Sequence, residues 1–171
     1  MPIPEVDSLY QSLLSGVRDH TGAGAASELL IVGIHSGGVW LAEKLRADLG
    51  IEPEIGRLDI SFYRDDFSRV GMHPEIKPSQ IPWEIDGRHL LLVDDILYTG
   101  RTVRAALNEL FDYGRPASVT LAVLVSRNGR ELPIEAAVCG TEIALEPGQQ
   151  LKLRGPTPLR LERIDLEPAA E

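Results

Sequence analysis

The chain has 171 residues, a formal net charge of −9 and a single cysteine, Cys139. That length suits one domain with a sizeable core, and one cysteine excludes an internal disulfide framework and a thiolate metal site. The acidity argues against general affinity for nucleic acid, whose binding is driven by phosphate neutralisation, and no run approaches the ~20 apolar residues of a membrane span. The opening Met-Pro-Ile-Pro-Glu-Val-Asp has neither the basic region nor the apolar run of a signal peptide. With cysteine so scarce, a reducing, cytoplasmic setting is expected, and Cys139, in an apolar run, reads as a small core residue.

Val6, Leu9, Tyr10, Leu13, Leu14 and Val17 follow helical spacing and predict a first amphipathic helix, ended by Gly22 and Gly24. Leu29–Ile34 has strand character. His35, Ser36, Gly37 and Gly38 turn into a second helix, which Gly50 closes. Residues 54–62 alternate loosely as a further strand. Residues 64–82 break the rhythm with Arg64, Asp65, Asp66, Arg69, His73, Lys77 and three prolines; a segment this long and polar is a functional lid or disorder. Residues 90–93 restore the strand pattern, Val103, Leu107 and Leu110 mark a helix, and Gly114-Arg115-Pro116 stops it. Residues 119–125 are the most uniform β run, as expected for a strand covered on both faces. Shorter strands are expected at 136–141, 150–153 and 159–164, with 167–171 a solvated, disordered tail. Alternating strands and helices predict an α/β fold, a mostly parallel central sheet flanked by helices, in a single domain over residues 1–171.

The chemistry concentrates in residues 90–102, Leu-Leu-Leu-Val-Asp-Asp-Ile-Leu-Tyr-Thr-Gly-Arg-Thr. Asp94 and Asp95 present acceptors at the carboxyl end of a strand, where open α/β sheets bind ligands. Thr99, Gly100 and Thr102 offer backbone N–H groups and hydroxyls at a helix N-terminus, which favours phosphate. An Asp-Asp pair alone is more often a turn or cap; the full string points to a sugar phosphate. His35-Ser36-Gly37-Gly38 is a second candidate anion cradle. It is not G-x-G-x-x-G, because Gly33 and Gly37 are wrongly spaced, and a nucleophile elbow would need glycine where Ile34 stands. Residues 126–133 follow the long strand as a polar turn or a ligand cover, and Arg101, Arg104, Arg115, Arg127 and Arg130 gather in one stretch. Arginine suits bidentate phosphate contacts, although such residues also pair on exposed faces.

The 90–102 string resembles the phosphoribosyl pyrophosphate (PRPP) motif of type I phosphoribosyltransferases. Residues 58–66, 93–105, 114–116 and 121–134 together narrow that resemblance to the PyrR family, pyrimidine operon regulators that are also uracil phosphoribosyltransferases. The resemblance implies that Asp94 and Asp95 hold the ribose hydroxyls and, directly or through water, Mg²⁺. It implies that Tyr98, Thr99, Gly100, Arg101 and Thr102 wrap the 5′-phosphate. His35, Ser36, Gly37 and Gly38 would form the pyrophosphate loop, a kind of loop that often contains a non-proline cis peptide. Arg64, on the lid, would meet pyrophosphate, and Ser126, Arg127, Asn128, Gly129 and Arg130 would begin a hood, about 126–165, over uracil.

The implied reaction joins uracil to PRPP, giving UMP and pyrophosphate, with UMP or UTP as regulatory ligands and a pyr leader messenger RNA as a partner. A homodimer or higher homo-oligomer follows by analogy. Two departures stand out. The family's first loop commonly reads lysine-threonine-arginine-glycine where this chain has His35-Ser36-Gly37-Gly38. Its hood begins with aspartate where Ser126 stands, and its later histidine is replaced at Asn128-Gly129. An RNA-binding attenuation regulator, or a PRPP or nucleotide sensor with little catalysis, remains the alternative.

Overall fold

A computed structural model describes residues 2–22, 28–60 and 79–168. Helix α1 (Val6–Thr21) is followed by β1 (Leu29–Ile34), α2 (Gly37–Leu49) and β2 (Gly56–Leu58). Then come β3 (His89–Leu97), α3 (Arg101–Tyr113), β4 (Ser118–Arg127) and β5 (Val138–Ile143), and finally β6 (Gln149–Arg154) and β7 (Arg160–Asp165). Strands β1 to β5 form one parallel sheet in the order β2-β1-β3-β4-β5, and β6 and β7 pair antiparallel as a separate ribbon.

Strand side chains alternate between two apolar layers because successive residues point to opposite faces. Leu29, Ile31, Leu91, Val93, Ala122 and Leu124 pack with α1 and α2. Leu30, Val32, Leu90, Leu92, Leu121 and Val123 pack with α3. Burial on both faces explains why these strands read as continuous apolar runs. The ribbon covers the first layer with Leu151, Leu153 and Leu161.

Local chemistry sets the helix ends. Gly50 closes α2 in the left-handed conformation, φ 67°, as the sequence predicts. Gly22 caps α1 through an N–H donated to the Arg18 carbonyl; Gly24 lies outside the described residues. Tyr10 of α1 donates to Asp48 of α2 at 2.5 Å and lies 4.6 Å beneath Lys44 Nζ.

Four strands differ from expectation, β4 by running on through Ser126 and Arg127, the residues expected to open the segment that follows it. Residues 54–62 contribute only the three-residue β2, an edge strand that meets β1 only from Val32 to Ile34; residues 61–62 lie outside the described residues. Strand β3 runs past residue 93 to Leu97, because β4 continues to pair with it after β1 has ended. Strand β5 begins at Val138 rather than residue 136.

Residues 79–80 return to the open edge of β2. The Arg57 and Gln80 backbones exchange two hydrogen bonds of 2.8 Å, and Ser79 Oγ accepts from the Asp59 N–H and donates to Glu109 of α3. Cys139 is partly buried against the second layer, and that burial, then the Glu142 charge, pushes its thiol up. Among the described residues no helix is long and apolar enough to cross a membrane.

Candidate active site

The chain passes from β1 outward to β2 and then back across to β3, so the loops after β1 and β3 diverge at a topological switch point. Ligands bind there in open α/β sheets. Strand β1 pairs with β3 only as far as Gly33↔Val93. Beyond it β3 keeps β4 on one side, Asp94 opposite Val123 and Leu97 opposite Ser126. Asp94 and Asp95 therefore emerge where one neighbour has peeled away and the other still holds the backbone straight. Asp94 is 3 % exposed and its Oδ1 accepts the Asp95 N–H at 2.9 Å. Asp95 is half-buried, and its Oδ1 accepts the Ile96 N–H at 2.8 Å.

The loop after β1 lies directly against these acids. The His35–Ser36 peptide is cis, and the His35 N–H donates to the Leu58 carbonyl at 2.9 Å. A side chain at Gly37 would overlap the Asp95 carboxylate, and one at Gly38 would strike the Val93 carbonyl and the Asp94 Cα. Gly33 lets α2 cross close to β1: a Cβ there would lie 2.7 Å from the Val39 Cα. Three glycines thus bring the N-terminus of α2 onto the acidic end of β3, and a helix N-terminus favours an anion.

On the other side, residues 98–100 form the turn into α3. Gly100 adopts φ 93° and packs against Leu132 and Ile134. Thr99 Oγ1 accepts the Arg101 N–H at 3.1 Å. The segment after β4 closes over this turn. The Thr99 carbonyl accepts from the Glu131 and Leu132 N–H groups at 3.0 and 3.1 Å, and Arg101 pairs with Glu131 at 3.1 Å. The Arg127 guanidinium stacks 3.9 Å from the Tyr98 ring centre, and Gly129 lies against the ring's other atoms. Arg130 donates to the Tyr98 carbonyl and to Ser126 Oγ, the latter at 2.9 Å. Asn128 exchanges two hydrogen bonds with the Leu145 backbone, 3.0 and 2.8 Å.

The fold thus brings together Asp94, Asp95, His35, Ser36, Gly37 and Gly38 on one side, and Tyr98, Thr99, Gly100 and Arg101 with Ser126, Arg127, Gly129 and Arg130 on the other. Thr102 is in the first turn of α3. Arg64 and most of the 64–82 segment lie outside the described residues. Arg127, Asn128 and Arg130 engage the protein's own backbone and Tyr98, a use that no local pattern discloses. Glu131 and Leu132 fall in the 126–133 turn or cover that the sequence marks, but their backbone N–H groups go to the Thr99 carbonyl, a partner that no local pattern names. A cavity of about 630 Å³ between α2 and the β6–β7 turn, lined in part by Trp40, Glu43 and Pro158, contains none of these residues.

A phosphoribosyl transferase domain matches residues 5–147. The chain is 52 % identical over 170 residues to the Bifunctional protein PyrR of Pseudomonas entomophila, covering 99 % of each, and 53 % identical to that of Pseudomonas paraeruginosa, covering 99 % of this chain and 100 % of the other. The chain belongs to the PyrR family. The Nitrosococcus oceani protein of the same name is 52 % identical over 165 residues, covering 95 % of this chain and 93 % of the other.

Among solved structures, a Staphylococcus aureus hypoxanthine phosphoribosyltransferase superposes with a TM-score of 0.62 at 22 % identity, covering 83 % of this chain and 77 % of the other. A Pyrococcus horikoshii purine phosphoribosyltransferase gives 0.60 at 20 % identity, covering 83 % and 87 %. These likenesses carry the fold: the chain is built on the type I phosphoribosyltransferase sheet.

Proposed function

We propose that this PyrR family member transfers the phosphoribosyl group of PRPP to uracil, forming UMP and pyrophosphate, and regulates pyr operon expression in response to pyrimidine nucleotides. The observation that carries the reading is the convergence of two anion-favouring turns on the Asp94–Asp95 pair at the switch point. The near-full-length identity to PyrR proteins supports the same reading.

The C1–oxygen bond to pyrophosphate breaks, the bond from C1 to uracil N1 forms, and the N1 proton is released. The transition state gathers positive charge on the ribose and negative charge on the leaving group. Asp94 and Asp95 accept from the ribose hydroxyls beside that developing cation. The backbone around His35, Ser36, Gly37 and Gly38, with the N-terminus of α2, takes the departing pyrophosphate. Thr99, Gly100, Arg101 and Thr102 bind the 5′-phosphate at the N-terminus of α3, and residues 126–130 cover the base and exclude water.

Mg²⁺ fits the oxygen donors present. Asp94 and Asp95 supply carboxylate oxygens at the end of β3, a donor set that suits an ion which keeps several waters and shares its shell with phosphates. When bound, it supplies charge neutralisation of the pyrophosphate. The setting is cytoplasmic and the assembly a homo-oligomer.

Pyrophosphate release should require uracil, PRPP and Mg²⁺ together; absence of turnover across a panel of bases would overturn the transferase reading. Regulation is tested by gel shift of a pyr leader RNA with and without UMP. A nucleotide-dependent, salt-sensitive shift is expected, and no shift at any nucleotide concentration would remove RNA from the partners.

A further inference from the structure

Tyr98 and Thr99 open the phosphate loop, and both of their carbonyls are bound by the hood. The Tyr98 carbonyl accepts from Arg130 Nη1, and the Thr99 carbonyl accepts from the Glu131 and Leu132 N–H groups. Neither the Tyr98–Thr99 nor the Thr99–Gly100 peptide is among the cis bonds of the described residues. In a trans peptide the N–H points opposite to the C=O. Anchoring the Tyr98 carbonyl on Arg130 therefore turns the Thr99 N–H away from the hood. Anchoring the Thr99 carbonyl turns the Gly100 N–H away in the same manner. These are the first backbone donors of the loop that precedes α3.

Arg130 itself is held from three directions. Nη1 reaches Tyr98, Nη2 donates to Ser126 Oγ at 2.9 Å, and Nε meets Glu135 at 3.4 Å. Ser126 is nearly buried and stands opposite Leu97 in the β3–β4 register, so the fork is tied to the rigid end of the sheet. The planar guanidinium serves two acceptors in one fixed geometry, which an ammonium does not reproduce. Tyr98 is pinned from its ring as well, by the Arg127 guanidinium at 3.9 Å and by the bare Gly129 backbone.

The geometry points to Arg130 as a positioning residue for 5′-phosphate binding: acting through the Tyr98 carbonyl, with Ser126 as its anchor, it aims the loop's N–H donors at the phosphate. This rests on the phosphoribosyl transfer proposed above, and it gives a hood arginine a task in holding the donor rather than the base. Ser126 supplies the acceptor that anchors Arg130 at the end of β4. Hood and phosphate loop form one unit, so phosphate binding and base covering are coupled.

The test compares Arg130→Gln and Arg130→Lys with the wild type in two assays, steady-state kinetics and direct calorimetric binding of ribose 5-phosphate, which carries the 5′-phosphate without pyrophosphate or base. Arg130→Gln is expected to raise KM for PRPP about tenfold or more, to weaken ribose 5-phosphate by a similar factor, and to leave kcat within about threefold. Arg130→Lys, with the charge but not the fork, should fall between. Glu135→Gln should leave both quantities within about twofold, because that contact is long and its carboxylate is 78 % exposed.

A folded Arg130→Gln protein with wild-type KM for PRPP and wild-type ribose 5-phosphate affinity overturns the inference, as does a loss confined to the uracil KM. If Arg130→Gln does not fold, the same measurements on Arg130→Lys decide. A wild type that binds ribose 5-phosphate but turns over no base sinks the transferase reading alone, and the binding series still decides for or against Arg130. A wild type with no ribose 5-phosphate binding overturns the inference.

Discussion

At the scale of single residues, the site depends on what is absent as much as on what is present. Gly37 and Gly38 have no side chain, and that lets the turn after β1 touch the acids of β3. The two glycines make different predictions. Gly38→Ala drives a methyl group into the Val93 carbonyl and the Asp94 backbone. Backbone does not yield cheaply, so a loss of roughly 1–3 kcal/mol is expected, read as a fall of several degrees in Tm. Gly37→Ala meets the Asp95 side chain, whose carboxylate can swing aside but whose Cβ, 2.9 Å away, cannot without a backbone shift. Its expected signature is a smaller fall in Tm than that of Gly38→Ala with kcat/KM lowered about 100-fold, since misplacing a group by an ångström costs that much. A Gly37→Ala enzyme with wild-type kcat/KM would show that Asp95 does not need its present position. Asp95→Asn should abolish most turnover while leaving the fold intact, checked by circular dichroism alongside the assay. Asp94 and Asp95 were legible in the sequence because the string around them is contiguous; their contact with Gly37 was not, because 58 positions separate Gly37 from Asp95.

At the scale of elements, α1 and α2 are joined by Tyr10 and Asp48. Burial first, then the hydrogen bond and the Asp48 charge, push the Tyr10 hydroxyl far above its usual range. The folded protein thus keeps a proton that the unfolded chain releases near pH ~10. This contribution to stability is complete below that pH and is lost as the pH rises beyond it. Tyr10→Phe should therefore cost about 1 kcal/mol at pH 7, and urea titrations should show the deficit narrowing above pH ~10; a deficit independent of pH would contradict the assignment. The hood has its own fastening. Asn128 satisfies both the N–H and the C=O of Leu145. Both strands of the β6–β7 ribbon were legible from alternation to within one or two residues. That they leave the main sheet and pair with each other was not, since alternation states which face is apolar but not which strand is the neighbour.

At the scale of the whole molecule, ligand binding should be visible as stability. PRPP with Mg²⁺ at about 100 times its Kd should add about 2.7 kcal/mol, roughly 5–10 °C in Tm for a chain of this size; thermal melts with and without the pair measure it, and no shift would argue against a formed PRPP site. The same convergence of loops that makes this possible is a product of strand order. By itself the sequence determined the α/β class, most of the helices and strands, and the acid pair with the glycine turn that follows it, because each depends on residues adjacent along the chain: periodicity selects the element and small residues open the turn. Only the tertiary structure decided that Gly37 and Gly38 press against Asp95 and the Val93–Asp94 backbone, that β3 outlasts β1, and that Arg127 and Arg130 grip Tyr98. Those contacts follow from the order β2-β1-β3-β4-β5 and its register, which bring together groups tens of residues apart, and no local pattern carries that information.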